Sequence, residues 1–200
     1  MSQGTFSLDN PNYIFLGEGV DDKDNNPATA KMKIHAFTTE QEYFDYGASK
    51  GVDLELNTVI TNHLSEYAND NGYIEEYEQT GEVSQDYLDY QSNYIDSILT
   101  KSAKNGPSTK SLITMLHKDW VGGSSWPILI GAHAFMPLTY NNNVSAFTPL
   151  LIGGVTSIYD RTFLRDRLWT YFGWSFTRIT FSGPLAPLDN RASSWAQFGL

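Results

Sequence analysis

The twelve residues from Tyr67 to Glu78 carry oxygen-bearing side chains at the spacing of a calcium loop. Asn69 and Asn71 fall on the third and fifth ligand positions, Gly72 on the sharp turn, Glu75 on the ninth position and Glu78 on the bidentate twelfth. The first position breaks the pattern, because Tyr67 stands where such a loop opens with a carboxylate. Gly81 also follows Glu78 too closely for a long exiting helix. The favoured reading is therefore a polar turn between two helices, with neither a metal nor any other cofactor expected. A second acidic run, Asp21-Asp22-Lys23-Asp24, has Pro27 where the loop needs glycine and reads as solvated.

Nucleophilic chemistry finds little support. There is no cysteine, hence no thiolate nucleophile, thiolate metal site or disulfide. The four histidines, His35, His63, His117 and His133, lie in no local catalytic signature, and the chain has no Gly-x-Ser-x-Gly elbow, His-Glu-x-x-His or Gly-x-x-x-x-Gly-Lys. Gly122-Gly123-Ser124-Ser125 reads as a hinge, His117 and Lys118 as the end of a helix, and His133 as a core histidine of an apolar strand. Paired carboxylates leave no spacing signature, so a hydrolase using dispersed acids stays as the alternative to the main expectation, which is no enzyme.

The second half of the chain offers a different chemistry. Arg165, Arg167 and Arg178 are interleaved with Trp169, Tyr171 and Trp174, and Trp195, Phe198 and Leu200 follow near residue 200. Guanidinium forks beside aromatic faces are enriched at protein interfaces. Arg165, Arg167, Trp169, Trp174, Trp195, Phe198 and Leu200 are accordingly the candidate interface. The plainer alternative makes Asp160-Arg161, Arg165-Asp166-Arg167 and Asp189-Asn190-Arg191 local ion pairs. A carbohydrate- or calcium-binding module is a further alternative. An apolar tail such as 184–200 needs cover, from its own domain or from a neighbouring subunit.

Charge divides the chain. Residues 1–100 carry 19 Asp and Glu against 4 Lys and Arg, and residues 101–200 carry 4 against 9, a net −15 beside a net +5. All five Trp and all five Arg lie in the second half. An overall charge of −10 argues against nucleic acid, whose phosphates need a cationic surface. No apolar stretch reaches the ~18–20 residues of a membrane span. Met1–Asn10 has no basic start and no apolar segment, so synthesis in the cytoplasm without a signal peptide is expected.

The elements that would position these residues follow from periodicity. Tyr13–Leu16 reads as a strand ending at Gly17 and Gly19. Lys31–Phe37 alternates with period two, putting Met32, Ile34 and Ala36 inward. Thr39 with Glu42 forms a capping-box pattern for a helix that buries Tyr43 and Phe44. A second helix carries Leu56, Val59 or Ile60, His63, Leu64 and Tyr67, capped by Asp53 or Asn57. Ser84 starts a third, about five turns long, with Tyr87, Tyr90, Tyr94 and Ile98 on one side. Ser108 or Thr109 caps a shorter helix through Leu112, Ile113 and Leu116 to Trp120. From Ser124 onward Gly, Pro and aromatic residues in short runs give strands. The fold class is α+β: a helix-rich acidic part over 1–121 with a short strand pair, packed with a mainly β, aromatic-rich part over 122–200, either as two parts or as one continuous domain. The functional expectation is a structural or interaction subunit of a large multi-protein assembly, such as a connector, tail or capsid-associated component of a virus or phage particle. Its partners would be other protein subunits, copies of itself included.

Overall fold

In the computed structural model the Thr39 hydroxyl accepts from the Glu42 amide at 3.2 Å and starts helix α1, Glu40–Ser49. The return half of the capping box is shifted by one residue, since the Glu42 carboxylate takes both the amide and the hydroxyl of Thr38. Asp53 caps α2, Leu54–Asp70, by accepting from Leu56 N at 2.8 Å. Gly72 and Gly81, both left-handed at φ 76° and 72°, bracket the short helix α3, Tyr73–Thr80. Helix α4 spans Gln85–Ser102, close to the range its periodicity predicts. The structure describes residues 10, 12–19, 32–102, 112–118, 125–128, 131–133, 136, 141–151, 154–172 and 179–198. No helix among them is long and apolar enough to cross a membrane.

Strands β1, Ile14–Gly19, and β2, Met32–Phe37, form an antiparallel pair ahead of the helices. After the helices come β3, Leu112–His117; β4, Ser125–Ile128; β5, Gly131–His133; β6, Ala146–Leu151; β7, Val155–Arg161; β8, Arg165–Phe172; β9, Ile179–Thr180; and β10, Ser194–Phe198. The protein is thus α+β. Two sheets result: six strands in the order β2-β1-β8-β7-β10-β5, and four in the order β4-β3-β6-β9. The sheet joins both parts of the chain, because β1 pairs in parallel with β8 at Leu16↔Thr170. The charge and texture boundary near residue 121 therefore coincides with no break in the larger sheet.

Three local expectations are corrected. Leu112–His117 is a strand between β4 and β6, not a helix, and its aliphatic run is consistent with either until those partners are present. β1 does not stop at Gly17 but runs through it, and a Cβ there would stand 2.3 Å from Trp169 Cζ2. On β2 the half-buried residues are Met32, His35 and Phe37, while Ile34 and Ala36 are exposed, so the inward face is not the one alternation suggests.

The six-stranded sheet is covered on both faces. Toward the four-stranded sheet, Phe15, Ile158, Trp169, Tyr171 and Trp195 pack with Leu116, Phe147 and Phe181. Toward the helices, Tyr159, Leu164, Ala196 and Phe198 pack with Ile60, Leu64 and Ile95. Double coverage explains why all five residues of β10 are buried. Trp169 and Trp195 are 1% and 0% exposed. At ~200 Å² each and ~25 cal/mol/Å², their burial contributes about 10 kcal/mol as an upper bound. That is comparable to the whole net stability of an ordinary domain.

Candidate interaction surface

The sequence from Gly51 to Thr100 holds eleven Asp and Glu and no Lys or Arg. Helical geometry puts all eleven, from Asp53 to Asp96, on the exposed surface of α2, α3, α4 and their connections. Among the described residues the ion pair from the β part to this layer is loose, Arg165 to Glu78 at 3.9 Å. The buried residues of α2 are Leu54, Asn57, Thr58, Ile60, Thr61, Leu64 and Ala68, which leaves Val59 52% exposed and Leu56, His63 and Tyr67 half-buried.

Between α2 and α4 those half-buried positions form a ribbon of rings. Tyr67 stacks on Tyr90 at 3.5 Å and 6°, Tyr90 lies 6.1 Å from Tyr94 at 9°, and His63 stacks on Tyr94 at 4.2 Å. The His63 Nε2 and Tyr90 hydroxyl share a hydrogen bond of 2.7 Å. Residues four apart on each helix, His63 and Tyr67, Tyr90 and Tyr94, point the same way, so the two pairs interleave. The result is a rigid, amphipathic strip framed by carboxylates. Stacked tyrosines offer large contact area at low entropic cost, which is why they recur at binding surfaces.

The densest group of titratable side chains lies elsewhere, where β1, β2 and α1 meet. Glu18 Oε2 accepts from Tyr46 at 2.6 Å and lies 2.9 Å from His35 Nε2, while Glu18 Oε1 accepts from Lys50 Nζ at 2.7 Å. The Tyr46 hydroxyl spends its proton on Glu18 and sits 3.0 Å from His35 Nε2, so that ring nitrogen must carry its own hydrogen. Burial raises the Glu18 carboxyl, but hydrogen bonds from Lys50, Tyr46 and His35 outweigh it and carry it down to about 2. Burial, then the neighbouring Glu18, push Tyr46 up; the bond to Glu18 pushes Lys50 up. Each shift deepens the ordinary charge state of its group, whereas a general base or amine nucleophile needs a value moved toward the working pH. This cluster is an electrostatic clasp that holds α1 to the sheet edge.

The proposed calcium ligands do not form a loop. Asn69 ends α2, Asn71 caps it and donates to Tyr67 O at 2.9 Å, and Glu75 and Glu78 lie on exposed α3. Helical backbone closes the carbonyls a calcium loop would turn inward. Among the described residues no three His, Asp or Glu converge as a metal site requires. His117 ends strand β3, buried, 2.9 Å from Thr148 Oγ1, and is not at a helix terminus.

The interface expected around the C-terminal aromatics is also corrected. Trp169, Trp195 and Phe198 are core residues enclosed within a single copy, because the helices and the second sheet supply cover that the sequence does not display. The tail docks in cis as β10, between β7 and β5. Trp174, Arg178 and Leu200 lie outside the described residues. Arg165 is half-buried and bonds to Thr162 O, and Arg167 turns inward toward Thr58. Among the described residues Arg161 pairs with Asp166 at 2.9 Å and Arg191 with Asp160 at 2.6 Å. The acidic, tyrosine-lined layer was visible in the sequence as charge and as the Tyr87, Tyr90, Tyr94 spacing, but its stacking on His63 and Tyr67 was not.

No protein-family model matches the chain, and no curated protein is detectably similar to it. Among solved structures, an archaeal βγ-crystallin aligns with 44% of this chain and all of its own length, at 18% identity and a TM-score of 0.37. A βγ-crystallin domain from Clostridium beijerinckii aligns with 46% of this chain and all of its own, at 14% and 0.36. The N-terminal domain of protein S aligns with 45% and 98%, at 18% and 0.30. At scores this low over less than half the chain, the likeness assigns neither a family nor a ligand.

Proposed function

We propose that the protein is a non-enzymatic interaction subunit of a multi-protein assembly, joined to its neighbours through the helical layer. The observation that carries this reading is the run of eleven exposed carboxylates without a single Lys or Arg, framing the half-buried ribbon of His63, Tyr67, Tyr90 and Tyr94. Charge of one sign repels itself and works against the compact state, so its accumulation favours a cationic counterpart. Nine of the thirteen Lys and Arg lie in residues 101–200, which makes a second copy of the chain a fitting counterpart. Such a contact is head-to-tail and builds either closed rings or open filaments. The narrower form, a component of a virus or phage particle, rests on the same charge division.

Light scattering of the purified chain tests this directly. Association is expected at ~20 mM salt and release toward the mass of one chain at ~500 mM, where charges are screened over a few ångströms. Replacing Asp86, Asp89 and Asp96 on the exposed side of α4 by Lys is expected to abolish association at both. A single-chain mass at every salt and protein concentration overturns association through this face.

A further inference from the structure

The larger sheet is split at one end. β1 and β8 pair from Leu16↔Thr170 to Glu18↔Phe172, and ahead of that stretch the ladder between them stops. A groove of about 390 Å³ lies where it would have continued, lined by Tyr13 and Phe15 of β1, by Asp166, Arg167 and Trp169 of β8, and by Arg191. That volume falls in the ~300–1,000 Å³ range of small-molecule sites.

The β8 wall of the groove is irregular. Asp166 is left-handed at φ 55°. The register with β7 is broken next to it: Ile158 faces Trp169, but Tyr159 faces Arg167, so Leu168 is an extra residue that turns Arg167 to the helical side of the sheet. Its Nη1 donates to Thr58 Oγ1 at 3.2 Å, and its Cζ stands 5.0 Å from the centre of the Tyr43 ring. Bulges and left-handed backbone at residues other than glycine cost stability, and both recur beside binding sites, where they re-aim side chains.

The groups left along the groove are polar but carry little free charge. Asp166 pairs with Arg161 at 2.9 Å, Arg191 pairs with Asp160 at 2.6 Å, and the Arg167 charge is drawn off toward Thr58. A carboxylate has about four acceptor sites and a guanidinium five N–H groups, more than one ion pair uses. Asn10, also on the lining, both donates and accepts. The half-buried Tyr13 ring, 6.1 Å from Phe15, adds an apolar face with a wet edge. Trp169 contributes the remaining group. It is 1% exposed, and its Nε1 has no acceptor, an uncommon condition for a buried donor.

We infer that this groove binds a sugar ring. Every sugar hydroxyl both donates and accepts, which matches a lining that mixes Asp166, Asn10 and Arg191, and the apolar face of the ring suits Tyr13. A sugar oxygen supplies the acceptor that the Trp169 indole lacks. An anion would meet Asp166 and a cation would meet the two arginines, so the neutral ligand is the one selected. No residue of α2, α3 or α4 lines the groove, so this inference stands apart from the helical docking face and survives its failure.

Saturation-transfer NMR of the full chain with glucose, galactose, mannose and N-acetylglucosamine, each at millimolar concentration, tests the site, with the indole N–H resonances followed in the same samples. Transfer to at least one of the four sugars is expected, together with a saturable shift of the Trp169 indole N–H, identified by its loss in Trp169→Phe. Asp166→Gly tolerates the left-handed backbone and is expected to weaken binding about tenfold, as is Tyr13→Ala, whereas Asp89→Asn on the exposed side of α4 leaves it unchanged. Absence of transfer to all four sugars overturns the inference, and so does transfer that leaves the Trp169 resonance in place or that is equal in wild type, Asp166→Gly and Tyr13→Ala. An equal shift of that resonance with sodium sulfate overturns the assignment to a neutral ligand.

Discussion

Replacing Glu18 by Gln removes the charge at the centre of the clasp while keeping its shape. The Glu18 side chain is 13% exposed, and its carboxylate holds Lys50, Tyr46 and His35 within 2.9 Å. Its pKa is drawn from 4.5 to about 2, which corresponds to about 3 kcal/mol if nothing screens it. Lys50 is 39% exposed and water screens that pair, so a value of about 1–2 kcal/mol at neutral pH is the working figure. The sign follows from the direction of the shift. A carboxyl whose folded-state value is depressed contributes fully above its unfolded value near 4.5, and the contribution fades as pH falls toward 2. Urea unfolding of wild type and Glu18→Gln at several pH values between 7 and 2.5 gives the difference directly, and that difference is expected to fall to about a quarter of its neutral-pH value at the acid end. The exposed carboxylates of the helical layer titrate alike in both proteins and cancel. A difference that stays constant with pH refutes the electrostatic account of how α1 is held.

Two further predictions concern the sandwich core. Gly17→Ala forces a methyl group to within 2.3 Å of Trp169 Cζ2 and 2.9 Å of Tyr171 Cδ2, so a loss of about 2–3 kcal/mol is expected in urea unfolding, and a neutral result would show that the two rings can move aside. Trp195→Ala opens a cavity under β10 and is expected to cost about 3–5 kcal/mol, with a reduced near-ultraviolet circular dichroism signal; a loss below ~1 kcal/mol contradicts its place between the two sheets.

Local chemistry was legible in the sequence and pairing was not. Thr39, Asp53 and the Tyr87–Ile98 spacing announce helices because each acts within one or two turns, whereas Gly72 reads as a turn and the short helix α3 behind it is not announced. Leu112–Leu116 carries aliphatic side chains that fit a helix stripe as well as a strand, and only β4, ten or more residues on, and β6, more than thirty on, decide between them. The same limit explains the misreading of Trp169, Trp195 and Phe198. Their composition reports apolar area, but whether a neighbour or the chain itself covers it depends on the second sheet for Trp169 and Trp195 and, for Phe198, on helices over a hundred residues away. The clasp joins residues 18, 35, 46 and 50, none of which is unusual alone. Arg167 pointed to protein contact by type, and one extra residue in β8 turned it inward.

Strand β10 has a consequence for how the molecule is made. It lies between β7 and β5, so until residues 194–198 have emerged from the ribosome those two strands present facing, unfilled edges with tryptophan and phenylalanine sites open beside them. Closing the sheet is then a late event, and a nascent chain stalled short of residue 194 exposes a ready template for mispairing with its neighbours. A product truncated near this point is therefore expected to aggregate through those unfilled edges.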